Sequence, residues 1–114
     1  MDDKKTVLVT GAAGALAKRV IARLHGKYQV IAVDFREKVE TDAGIPSYKV
    51  DLYKRGFEDI FREHKIDAVL HIGRIFAHAS TRLTRYNANV LVTKRLFELC
   101  KTYFVNPVIV PPTY

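Results

Sequence analysis

Gly11, Gly14 and Ala17 follow one another at three-residue intervals, directly after the apolar run TVLVT and at the head of the helical pattern AAGALAKRVIARLHG. Glycine at 11 lets a strand turn sharply into a helix, because without Cβ it takes backbone angles barred to other residues. Glycine at 14, in the first helical turn, leaves room for a bulky anion to approach the backbone. The exposed N–H groups and the positive end of the helix macrodipole favour that anion. A small residue at 17 lets the helix pack close on its strand. Asp34 then ends the next apolar run, YQVIAVD, 20 residues past Gly14. A carboxylate at that place accepts hydrogen bonds from ribose hydroxyls. A diphosphate on the turn and a ribose on the acid together make a dinucleotide site. Two plainer readings stand beside this one: small residues that serve packing alone, and a strand-end acid that caps a loop.

Arg36, two residues past Asp34, bears on which dinucleotide. A guanidinium there pairs with the 2′-phosphate of NADP, whereas Asp34 repels it. The acid gives the expectation of NAD, with NADP left open through Arg36. His71 sits in an apolar run and is expected to be a packed residue making one backbone hydrogen bond, and His78 falls in the segment after it. His25 and His64 stand at helix ends, where partial positive charge suits the carbonyl terminus. Asn87 is the expected cap of a long helix. The single cysteine, Cys100, excludes an internal disulfide and reads as a small buried hydrophobe. No Cys/His spacing suits zinc.

The elements that must position these residues alternate along the chain. TVLVT, YQVIAVD, SYKVD, IDAVLHIG and PVIV read as strands. Between them, AAGALAKRVIARLHG carries Leu16, Val20, Ile21 and Leu24 at helical spacing, with Gly26 as a stop. YKRGFEDIFREHK carries Phe57, Ile60 and Phe61 on one face. NANVLVTKRLFELCKTYF is a long helix with Val90, Leu91, Leu96, Phe97 and Leu99 expected inward. The run RIFAHASTRLTRY has no clear period. Strands apolar on both faces, separated by amphipathic helices, imply a parallel sheet covered on both sides. The right-handed crossover rule favours a doubly wound, Rossmann-like α/β fold with about five strands in the order 3-2-1-4-5.

Composition sets the outer limits. The 114 residues fit one domain spanning 1–114, and 48% apolar residues suffice for a core. No apolar run is long enough to span a bilayer, and the charged start, MDDKK, is unlike a signal peptide. A cytoplasmic location with no membrane partner is expected. The net charge of +7 raises nucleic acid as a partner. The basic residues are scattered over polar helix positions beside acids such as Glu58, Glu63 and Glu98, so a solvated face is the preferred reading.

These residues together resemble the extended short-chain dehydrogenase/reductases, the NAD-dependent epimerase/dehydratase family. TGAAGALA is similar to that family's TGxxGxxG, with Ala17 in place of the last glycine, and VDFR is similar to its second-strand acid. YKVDL resembles the third-strand segment, DAVLHIG the family's DxVxHLA, and NANVLVTKRLFELCK its NVxGTxxLLEAC, with Val92 where a glycine is usual. The resemblance runs from about Lys5 to Val110. It implies cofactor contacts from Gly11, Ala13, Gly14, Ala15 and Leu16 in the turn, and from Asp34, Phe35 and Arg36 after the second strand. It places Asp51 and Leu52 at the adenine and passes Ile72 and Gly73 beside the cofactor. Arg74 replaces a common small residue and either meets a cofactor phosphate or ribose or points outward. Asn89 resembles the asparagine that braces the sheet near the site.

The family's catalytic set is a Ser or Thr after the fifth strand followed by Tyr-x-x-x-Lys. Thr113 stands at the first of these places. None of the six tyrosines has a lysine four residues on. The expectation is therefore a dinucleotide-binding domain, truncated relative to the family, that binds cofactor without turnover. The alternatives are a regulatory cofactor-binding subunit and, less favoured, a basic nucleic-acid-binding protein. The bare edge of the fifth strand is a template for self-association.

Overall fold

The computed structural model describes residues 4–35, 38, 39, 44–52, 54–72 and 82–109, with 82–89 as backbone alone. The elements run β1 (Thr6–Thr10), α1 (Ala15–Leu24), β2 (Gln29–Asp34), β3 (Ser47–Lys49), α2 (Arg55–Glu63), β4 (Ala68–His71), α3 (Arg82–Tyr103) and β5 (Asn106–Ile109). The strands form one parallel sheet in the order β3-β2-β1-β4-β5, as the sequence implies. Parallel pairing brings all carboxyl ends to one edge. There Thr10 lies between Val33 of β2 and His71 of β4.

Side chains alternate across a strand, so each β1 residue chooses a face. Leu8 joins Ile31, Val33 and Val69 in a core closed by Phe57, Ile60 and Phe61 of α2 and by Val92, Leu96, Leu99 and Cys100 of α3. Phe57 and Phe61 pack edge to face, with centroids 5.3 Å apart. Val7 and Val9 join Val30 and Ala32 in the other core, closed by Ala12 and by Ala17 and Ile21 of α1. Two covered faces explain why the strands read as nearly unbroken apolar runs.

Three expectations change. α3 begins at Arg82, so Asn87 lies inside the helix and does not cap it. Its buried stripe is Val92, Leu96, Leu99 and Cys100, while Val90, Leu91 and Phe97 are exposed. The 92/96/99/100 spacing is the i, i+4, i+7, i+8 pattern of a single helical face, and the sheet takes that stripe. In α1 the inward residues are Ala17 and Ile21, and Leu16 remains 46% exposed. α3 stops at Phe104, which takes φ 57 and is 94% exposed. Val105 N–H closes the helix end by donating to Cys100 O at 2.8 Å.

Candidate functional site

The turn between β1 and α1 is built from backbone. Gly11 takes φ 65, the left-handed conformation that favours glycine. Gly14 N–H donates back to Gly11 O at 3.0 Å, and Gly14 caps α1 with extended angles (φ −73, ψ 155). A Cβ at Gly14 would meet Gly11 O at 3.3 Å. Ala12 N–H donates to Val33 O at 3.1 Å, and Ala13 N–H donates to Asp34 Oδ2 at 3.0 Å. The turn is thus laid along the end of β2. Ala17, fully buried, lets α1 approach the sheet.

The first N–H groups of a helix have no intrahelical acceptor. In α1 these belong to Ala15, Leu16 and Ala17. The helix has no side-chain cap and no acidic residue in its first turn. Ala15 and Leu16 are exposed. The positive end of α1 therefore reaches the carboxyl edge of the sheet beside β1. In the order 3-2-1-4-5 the strand order reverses between β1 and β4, and ligands of open α/β sheets occupy that crevice.

The remaining expected residues divide. Asp34 ends β2 with 1% exposure. Phe35 and Ile72 are half-buried just beyond β2 and β4, and Asp51 is exposed past β3. Leu52 is buried in the core beneath α2 and α3, so its side chain serves packing. Arg36, Gly73, Arg74, His78 and Thr113 lie outside the described residues, as does the side chain of Asn89, whose backbone is within α3.

His71 corrects one expectation. Its partner is a side chain: Nδ1 shares a 2.6 Å hydrogen bond with Thr10 Oγ1. Both residues are buried at the carboxyl edge. Burial pushes the His71 pKa below its usual value, which favours the neutral ring. Thr10 opens the TGAAGALA run, but the motif assigned its side chain no role. Its pairing was available from the strand order, which sets β1 beside β4 and makes the last residues of the two strands neighbours.

Two further clusters lie away from this edge. Glu58 of α2 accepts from Tyr103 Oη at 2.8 Å and from Arg95 Nη2 at 3.2 Å, and it pairs with Arg62 at 3.5 Å. Two of the scattered basic residues are thereby committed to an acid, in line with a solvated face. Tyr48 Oη and His64 Nε2 share a 2.8 Å hydrogen bond. His64 also borders a groove of about 610 Å³ at the opposite, amino edge of the sheet, with Lys4, His25 and Tyr28. None of the expected cofactor residues among those described lines that groove. Among the described residues no cluster of three or more His, Cys, Asp or Glu side chains suits a metal. Among them, too, no helix is long and apolar enough to cross a membrane.

The sequence profile of the NAD dependent epimerase/dehydratase family matches residues 7–113. The chain belongs to that family. Solved structures of similar fold include UDP-glucose 4-epimerase from Bifidobacterium longum in complex with NAD+ and UDP, at 26% identity and TM-score 0.80 over 96% of this chain and 37% of that one. L-threonine dehydrogenase from Clostridium difficile matches at 21% identity and TM-score 0.78, over 95% of this chain and 36% of that one. Uronate dehydrogenase from Agrobacterium tumefaciens matches at 20% identity and TM-score 0.75, over 94% and 40%. This epimerase/dehydratase-family chain therefore spans between a third and two fifths of the length of these relatives.

Proposed function

We propose that residues 1–114 form a single domain that binds NAD across the carboxyl edge of the sheet. The observation that carries this reading is the turn at 11–14. A left-handed Gly11, a Gly14 whose Cβ would crowd Gly11 O, and an uncapped α1 together form a cradle for a diphosphate. Ala15 and Leu16 would offer N–H groups to the diphosphate, and Asp34 its carboxylate to the adenosine ribose. Asp51 and Ile72 flank the adenine and nicotinamide sides. Bound NAD would supply hydride transfer. Asp34 favours NAD over NADP through repulsion of a 2′-phosphate, and Arg36 is the residue that opposes this preference.

The family and the similarity to an NAD+-complexed epimerase support an origin in sugar-nucleotide or related oxidoreductase chemistry. The 114 residues by themselves hold cofactor without turnover. Hydride transfer to a carbonyl or from an alcohol needs a proton carrier on the oxygen. No tyrosine here has the lysine four residues on that would lower its pKa, and an unassisted phenol near pKa 10 is a poor base at neutral pH. The test is calorimetric titration with NAD, NADP and ADP-ribose. Expected is NAD binding in the micromolar range or weaker, about −8 kcal/mol or less favourable, with NADP weaker still. No heat and no thermal shift at millimolar NAD or ADP-ribose would overturn the reading.

We infer also that β5 supports self-association. All four of its residues are exposed, and Val108, Ile109 and the adjacent Phe104 present apolar surface. A net charge of +7 opposes contact between copies, so the associated fraction should rise with salt. Sedimentation of one monomeric species at both low and high salt would refute it.

A further inference from the structure

We infer that Asp34 is a positioning residue for the glycine turn, fixing its backbone for a diphosphate independently of any ribose. This rests on the dinucleotide reading above. Ala12 N–H and Ala13 N–H donate to consecutive residues at the end of β2: the first to Val33 O, the second to Asp34 Oδ2. Gly14 N–H is taken by Gly11 O. Three successive N–H groups are thus committed to acceptors within the protein. The donors that remain for an anion are those of the first turn of α1, where no side chain caps the helix. Ala13 accordingly shapes the site without donating its N–H to the ligand.

The carboxylate matters because, among the described residues, few contacts tie the turn to β2. Two of its four residues are glycines, and Gly11 gains its left-handed angle at no steric cost but with large conformational freedom in compensation. One backbone bond, from Ala12, ties the turn to β2, and Asp34 adds a second from a side chain buried to 1% exposure. Without the carboxylate, Ala13 N–H loses its acceptor, and the start of α1 is no longer held in register with the strand end. Order in the turn and acceptance of a ribose are then two functions of one side chain. A variant at 34 should weaken binding even of ligands that have no ribose hydroxyl.

The experiment is a ligand-by-variant cycle. ADP and 2′,3′-dideoxy-ADP, which lacks both ribose hydroxyls, are titrated calorimetrically into the wild type, Asp34→Ala and Asp34→Asn. Asp34→Ala is expected to weaken the dideoxy nucleotide by about tenfold, the scale of one hydrogen bond to a charged group. Asp34→Asn, whose amide oxygen can still accept from Ala13 N–H, should restore dideoxy-ADP to near the wild-type affinity while ADP stays weaker. Hydrogen exchange gives a readout without ligand: the Ala13 amide should exchange faster in Asp34→Ala and at the native rate in Asp34→Asn, with Leu8 and Val69 unchanged in both. If Asp34→Ala does not fold, Asp34→Ser, with a shorter hydroxyl side chain, takes its place with the same expectations. Asp34→Ala binding dideoxy-ADP as the wild type does, with Ala13 exchange unchanged, would overturn the inference and leave Asp34 a ribose acceptor alone. A wild type that binds neither nucleotide would refute the dinucleotide reading, while Ala13 exchange would still decide the clamp.

Discussion

Gly14 separates two reasons for a glycine, and substitution there tests the site. Its angles, φ −73 and ψ 155, are open to any L-residue. Alanine therefore brings no backbone strain and removes unfolded-state entropy, a gain of about 0.4–1 kcal/mol. Against this stands the new Cβ, 3.3 Å from Gly11 O, a contact that requires a shift of a few tenths of an ångström. The two effects leave Gly14→Ala within about 1 kcal/mol of the wild type, or about 4–8 °C in Tm for a domain of this size. Gly14→Val adds two methyl groups at the head of α1, in the path of a diphosphate approaching the uncapped N–H groups. It should weaken ADP at least about 100-fold, close to 2.7 kcal/mol. Gly11→Ala is the contrast: φ 65 costs a side chain about 1–2 kcal/mol whatever space surrounds it, so the loss there is in stability first. The assay is ADP calorimetry with thermal melts of the three variants. A folded Gly14→Val that binds ADP within threefold of the wild type would show that Gly14 is small for packing alone and that no diphosphate lies over it.

Phe57 is fully buried between α2 and the sheet, so Phe57→Ala should lose about 3–5 kcal/mol in a urea melt. Phe104 takes a left-handed φ of 57 while 94% exposed; Phe104→Gly should raise stability by about 1 kcal/mol by removing the Cβ penalty at a helix end. Burial pushes the Cys100 thiol up to about 11, so a thiol reagent at pH 7.5 should modify the chain only in denaturant, where one equivalent reacts. Glu58 is held below its ordinary 4.5, first by the Tyr103 hydroxyl and then by Arg62 and Arg95. Its folded pKa lies under its unfolded one, so its contribution is complete above about 4.5 and is lost as pH falls through the lowered value. Glu58→Gln should flatten the fall of Tm in that acid window, and an unchanged slope would refute the assignment.

The architecture was legible because it rests on patterns local to each strand. Leu8 and Val9 are neighbours in sequence and apolar, yet they enter opposite cores; only a sheet covered on both faces asks for that. The turn was legible for the same reason, since Gly11 and Gly14 answer to backbone angle and clearance. Choice of face on α3 was not. Val90, Leu91, Val92, Leu96, Phe97 and Leu99 leave two apolar stripes on one helix, and helical period does not rank them. Packing against β4, β5 and α2 does, and it selects Val92, Leu96 and Leu99. The start of the same helix was hidden because Asn87 carries a capping side chain wherever it sits, while the run before it, RIFAHASTRLTRY, has no clear helical period. Asp34 shows the deeper limit. Motif spacing gives the expectation of an acid that accepts from a ribose, whereas the structure shows it accepting from the N–H of Ala13. A backbone donor has no side-chain signature and leaves no mark in the sequence. A carboxylate placed by evolution for a ligand and one placed for a turn look alike in one dimension. At the end of β2 the turn meets the place proposed for the ribose, so one side chain can serve both.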